Sequence, residues 1–169
     1  MYASVNAASP VVVGNSVFIT EGYSEGGALI DFAPNGEASL RWKADRFGSQ
    51  FTTPVTHEGY LYGVTGTGGT EMVCYEIESG REMWRDGLPL KEARLGRAGL
   101  IRVDGAFLCI GAQGTLLWLD LAPSGPKILA EAQLFQAPET WGVSTVSRGL
   151  LYVNKNTMGS RLFCYDLRK

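Results

Sequence analysis

Short apolar runs alternate along this chain with brief polar or glycine-bearing breaks, and no long stretch carries a helical period. Val11-Val12-Val13 leads over Gly14-Asn15 into Val17-Phe18-Ile19, and Val55-Thr56-His57 leads over Glu58-Gly59 into Tyr60-Leu61-Tyr62. The same figure returns as Leu100-Ile101-Arg102-Val103, Asp104-Gly105, Ala106-Phe107-Leu108. It comes a fourth time as Thr145-Val146-Ser147, Arg148-Gly149, Leu150-Leu151-Tyr152-Val153. Two apolar runs split by a pair of turn residues predict a tight β-hairpin, with glycine supplying the left-handed backbone. Asn15, Gly59, Gly105 and Gly149 mark these turns at steps of 44, 46 and 44 residues.

A second figure follows each hairpin: Leu29-Ile30-Asp31-Phe32, Cys74-Tyr75-Glu76-Ile77, Trp118-Leu119-Asp120-Leu121 and Cys164-Tyr165-Asp166-Leu167. Its acidic residue steps by 45, 44 and 46 and is expected to accept backbone N–H bonds at the next turn. In the first three units that turn carries Asn35-Gly36, Ser79-Gly80 and Ser124-Gly125. A further strand then bears Trp42, Trp84 and Ile128-Leu129 in turn, the tryptophans serving as apolar anchors. Four strands, A to D, at a period of about 45 residues predict the blade of a β-propeller. The fold class is therefore all-β, a single domain with blades near 8–46, 50–88, 96–132 and 140–169. Alternation within the strands is imperfect, as expected for sheets covered on both faces. Helical signal is confined to about one turn each at Leu90–Leu95 and Ala130–Phe135.

The fourth unit supplies strands A, B and C, while residues 1–7 precede the first strand A; Tyr2 to Asn6 are expected to act as the D strand completing a blade. Three closures are open. The chain forms a four-bladed ring alone, two copies exchange ends to build an eight-bladed ring, or the chain is half of a longer propeller. The two-copy ring and the fragment are preferred.

Cys74-Tyr75-Glu76-Ile77-Glu78-Ser79-Gly80-Arg81-Glu82-Met83-Trp84 resembles the A-x-D-x-x-T-G-x-x-x-W repeat of PQQ-like β-propellers. That group includes quinoprotein dehydrogenases and the propeller lipoprotein of the outer-membrane β-barrel assembly machinery. The stretches Phe51 to Gly63 and Gly149 to Leu167 are similar to the C-terminal half of planctomycete-type PQQ-like proteins. The resemblance implies a ring of seven or eight blades and an extracytoplasmic, periplasmic setting. It implies either a protein-interaction scaffold or, as the alternative, part of a PQQ-dependent oxidoreductase.

Composition narrows this further. Of 169 residues 22 are glycine, 45% are hydrophobic and 19% charged, with a net charge of -2. Such a chain is neither disordered nor collagen-like. It carries no lysine–arginine cluster for nucleic acid, and no membrane-length apolar run. The Met1 end lacks a basic segment followed by an apolar one, so no signal peptide is expected within the chain.

Candidate chemistry is sparse. Cys74, Cys109 and Cys164 lie 35 and 55 residues apart, without C-x-x-C spacing, and read as buried small hydrophobes. His57, the single histidine, is expected to be solvated in its hairpin turn. Gly63-Val64-Thr65-Gly66-Thr67-Gly68-Gly69 precedes a strand rather than a helix, so it reads as a loop and not a phosphate cradle. Asp31, Glu76, Asp120 and Asp166 fall one blade apart, too far to share a calcium ion. Quinoprotein dehydrogenases hold their quinone between a tryptophan and two adjacent bonded cysteines, beside calcium; this chain has no adjacent cysteines. No cofactor or metal is identified, and PQQ with calcium enters only under the oxidoreductase alternative. No catalytic residue is expected, and the enzyme class is disfavoured. The remaining candidates sit where the D–A and B–C loops gather around the channel. Gln50, Arg97 and Trp141 form a candidate binding face, with loop residues Glu25, Glu71 and Lys155 nearby. The expected partners are a second copy or the missing blades, and possibly another protein.

Overall fold

The structure is a computed structural model that describes residues 7–23, 26–66, 71–86, 95–141 and 144–168. The proposed D strand over Tyr2 to Asn6, loop residue Glu25 and most of the predicted turn at Leu90–Leu95 lie outside these residues. Fifteen strands are described, and they pair only with neighbours in sequence. The first blade holds β1 (Val11–Val13), β2 (Ser16–Glu21), β3 (Gly26–Phe32) and β4 (Ala38–Ala44). The second holds β5 (Val55–His57), β6 (Tyr60–Thr65), β7 (Glu71–Glu76) and β8 (Glu82–Asp86). The third holds β9 (Gly99–Val103), β10 (Ala106–Ile110), β11 (Thr115–Ala122) and β12 (Gly125–Gln133). The fourth shows three strands, β13 (Thr145–Ser147), β14 (Leu150–Lys155) and β15 (Arg161–Asp166). The chain is thus an open, partial β-propeller. Among the described residues no helix is long and apolar enough to cross a membrane.

All four A–B turns are two-residue hairpins, since Val13 pairs with Ser16, His57 with Tyr60, Val103 with Ala106 and Ser147 with Leu150. The last three place both turn residues at positive φ, for example Glu58 at 48° and Gly59 at 83°. The first instead puts its glycine first, Gly14 at 58°. This explains why Asn15 occupies the column that glycine fills elsewhere.

The expected helical turn at Ala130–Phe135 is not there. Ala130 through Gln133 belong to β12 and pair one for one with Trp118 back to Thr115 of β11. Ala, Glu, Gln and Leu favour helix locally, but ladder pairing outweighs such weak preferences. Each D strand carries one bulge at an equivalent place, opposite Leu29/Ile30, Cys74/Tyr75 and Trp118/Leu119.

The core consists of three clusters, one at each junction between successive blades. Phe18 and Leu29 of the first blade meet Leu61, Val73 and Tyr75 of the second around Phe47, a linker residue with no exposed surface. Tyr62, Met72 and Cys74 then meet Phe107, Cys109, Leu117 and Leu119. Leu108 and Ile110 finally meet Leu151 and Val153. No cluster among the described residues joins the fourth blade to the first. The D-strand tryptophans complete the first two junctions by reaching across them. Trp42 Nε1 donates to the carbonyl of Ile77 at 2.8 Å, and Trp84 Nε1 to that of Ala122 at 2.7 Å.

Candidate functional site

The segments entering strands A of the second, third and fourth blades converge, and they bring Gln50, Arg97 and Trp141 together. The Arg97 guanidinium carbon lies 4.7 Å from the Trp141 ring centroid and 5.8 Å from that of Phe51. Phe51 and Trp141 stack at 4.9 Å with 26° between their planes. Arg97 also donates to Gln50 Oε1 at 3.5 Å and forms an ion pair with Glu139. Beside this cluster is a cavity of about 120 Å³ with an apolar floor of Leu100, Ile101, Ile110 and Val153. Thr52, Thr53, Thr140 and Ser144 supply hydroxyls to its lining.

The backbone holds this arrangement in place. Arg97 has φ of 46°, a left-handed conformation that a bulky residue adopts at a cost of about 1–3 kcal/mol. It is pinned because the N–H of Ala112 donates to the carbonyls of Leu95 and Gly96 at 2.7 and 3.1 Å. On the other side, Thr140 Oγ1 and the Trp141 N–H both bond to Asn156 Oδ1, at 2.7 and 3.1 Å. Trp141 nevertheless remains 50% exposed. The site is therefore a rigid aromatic ledge over an apolar hole. Its arginine is already paired with Glu139. Phe51 and Glu139 were not singled out from sequence, although both flank residues that were.

Glu71 lies elsewhere. Lys155 ends β14, and Glu71 begins β7 rather than lying in a mouth loop. Glu71 pairs with Arg85 at 2.8 Å beside a separate hollow lined by Arg46 and Thr65. Arg85 also grips Glu82 at 2.6 Å, while Tyr75 Oη donates to the same Glu82 oxygen at 2.5 Å. Burial pushes the Glu82 carboxyl up, but the bonds from Arg85 and Tyr75 outweigh it and leave the pKa below its ordinary value. His57 is not solvated: its side chain is mostly buried and its ring stands edge-on to Phe107 at 5.6 Å. The acidic column is mixed. Asp166 accepts the backbone N–H of Arg168, whereas Asp31 is taken by Ser16 Oγ at 2.6 Å and by Arg41.

The donor set does not fit a quinone–calcium pair. Cys74, Cys109 and Cys164 are free and distant in sequence, the first two buried and the third exposed. Burial pushes the Cys74 thiol up to about 11 and that of Cys109 to about 12, so neither offers a thiolate. Among the described residues no three His, Cys, Asp or Glu side chains stand close enough to hold a metal ion. No chemical step through the quinone follows from these residues.

Comparison with known proteins agrees with this architecture. Residues 3–86 match the family described as outer membrane protein assembly factor BamB. BamB from Moraxella catarrhalis superposes with a TM-score of 0.61 at 18% identity, over 88% of this chain and 40% of that one. A europium-containing methanol dehydrogenase gives 0.60 at 11%, over 90% and 37%. The computationally designed Ika4 protein gives 0.61 at 12%, over 95% and 92%. This chain therefore spans less than half the length of the first two structures. None of the curated proteins matches it at a significant level. At such identities the structural likeness concerns the fold alone. Taken with the repeat motif and the tryptophan junctions, these matches agree with a β-propeller fold whose residues 3–86 are similar to the outer membrane assembly factor family.

Proposed function

We propose that the chain is part of a non-catalytic propeller scaffold that binds a protein partner at its mouth, through Phe51, Arg97 and Trp141. One observation carries this reading. A half-exposed tryptophan is held rigid by stacking on Phe51 and by an arginine in a strained conformation, at the rim of an apolar cavity. Rigid, partly exposed Trp and Arg at a concavity are the residues that dominate binding energy at protein interfaces. The matched family, described as an assembly factor of the outer membrane, supports a scaffold in the periplasm. The cavity has room for one apolar or aromatic side chain of the partner, and the hydroxyls of Thr52 and Ser144 suit its flanking backbone.

The test is a selection of random peptides on the intact chain, counter-selected on Trp141→Ala. Peptides bearing an aromatic or aliphatic anchor are expected, with affinity falling roughly 30-fold or more in the variant while its thermal midpoint stays within a degree or two. If no peptide distinguishes the two proteins, the mouth is not a binding site. Stoichiometric uptake of PQQ with calcium would overturn the non-catalytic reading.

A further inference from the structure

The cross-strand register assigns every residue of strands B and C to one of two blade faces, because directly paired side chains share a face. Toward the preceding blade point Leu61, Val73 and Tyr75 in the second blade, and Phe107, Cys109, Leu117 and Leu119 in the third. The same columns in the first blade hold Val17, Ile19, Ala28 and Ile30. Toward the following blade point Tyr62, Val64, Met72 and Cys74 in the second blade, and in the fourth their counterparts Tyr152, Asn154, Leu162 and Cys164.

Identical columns have opposite exposures inside the arc and at its ends. Met72 is 1% exposed and its counterpart Leu162 is 70% exposed; Cys74 is buried and Cys164 exposed. Cys109 is fully covered, while its counterpart Ile19 is 44% exposed and borders a groove of about 480 Å³ lined also by Pro10 and Ala28. The two ends are thus the two halves of an interface that the chain builds three times within itself. Its arc does not join its own ends among the described residues.

We propose that the free face of the fourth blade in one copy packs on the free face of the first blade in a second copy. Made twice, this contact closes a two-fold ring of eight blades. The proposal is independent of the mouth site. Leu162 takes the role of Met72, and Cys164 is covered as Cys74 is.

Light scattering on the intact chain tests it, with a species of twice 18.3 kDa expected. A single species of 18.3 kDa at tens of micromolar overturns the proposal, and so does an open-ended ladder of masses. Ile19→Asp and, separately, Leu162→Asp change side chains exposed in the single chain, so each is expected to keep its far-ultraviolet dichroism. Each is expected to weaken the pairing at least 100-fold and to speed the reaction of Cys164 with Ellman's reagent at least 10-fold. An unchanged mass in a folded variant, or equal Cys164 reactivity in variant and wild type, overturns the assignment of these faces. Having a substitution on each side keeps the test decisive if one of them fails to fold.

Discussion

Gly59 and Gly80 hold similar left-handed backbone, at φ of 83° and 71°, yet a side chain meets very different surroundings at each. A Cβ on Gly59 has open space around it, so Gly59→Ala is expected to cost only the backbone strain, about 1–2 kcal/mol. A Cβ on Gly80 would stand 2.6 Å from the Trp42 ring, so Gly80→Ala must also displace the indole and cost about 3–4 kcal/mol. Urea unfolding separates the cases, and equal losses would show that Trp42 yields freely. The need for glycine at both turns was legible in the hairpin pattern. The second need at Gly80 was not, because it arises from a neighbouring blade. Arg85 is a similar case, an ordinary strand arginine in sequence that is only 10% exposed in the fold. Arg85→Met is expected to cost about 2–3 kcal/mol at pH 7 by leaving the partly buried Glu82 with only the Tyr75 hydroxyl and the more distant Arg46. The Glu82 pKa is lowered in the folded state, so its contribution is present above the ordinary value of 4.5 and fades as pH falls through the lower folded value. The stability gap between Arg85→Met and wild type should therefore narrow below that value; a gap constant from pH 7 to 3 would assign the loss to packing alone.

Each blade locks to the next through a side chain of its outer half. In the first two blades that side chain is a D-strand tryptophan whose N–H reaches a carbonyl across the junction. Trp84→Phe keeps most of the apolar contact and orphans the Ala122 carbonyl, with an expected cost of about 1–2 kcal/mol. A loss near zero by thermal unfolding would show that water replaces the bond. The third blade solves the same problem differently. Ala130 stands at the position of Trp42 and Trp84, and the directly opposed residue on strand C is Trp118, packed into the third junction. Because opposed residues share a face, the bulk has moved across the ladder without leaving the junction. The column is hidden in sequence because the turns between strands C and D differ in length, so Trp42, Trp84 and Ala130 follow Asp31, Glu76 and Asp120 by 11, 8 and 10 residues. The mouth was legible for a related reason. Arg97 and Trp141 stand four residues ahead of the equivalent strand-A residues Ile101 and Thr145, and Gln50 stands one place off that column, five ahead of Val55, so periodicity brings the three segments together. Phe51 holds the matching place four residues ahead of Val55, whereas Glu139 joins through side-chain direction, which periodicity does not specify.

At the scale of the whole molecule, stability is a chain of neighbour terms, as in other repeat architectures. Three clusters join four blades, and the third contains the fewest fully buried side chains. Leu151 is central to it and fully covered. Leu151→Ala is expected to remove about 2–4 kcal/mol and to raise hydrogen exchange in β13–β15 well before the first two blades respond. Uniform loss of protection across all four blades would mean that the arc unfolds as one unit.

The tryptophans also make this architecture readable by light. Trp42 marks the first seam, Trp84 the second, Trp118 the third, and Trp141 the rim. With four indoles in the whole chain, each place has its own built-in fluorophore. Keeping one tryptophan at a time and replacing the rest with phenylalanine turns a single emission band into four separate local signals. Seam opening and rim occupation can then be followed in the same molecule without any added dye.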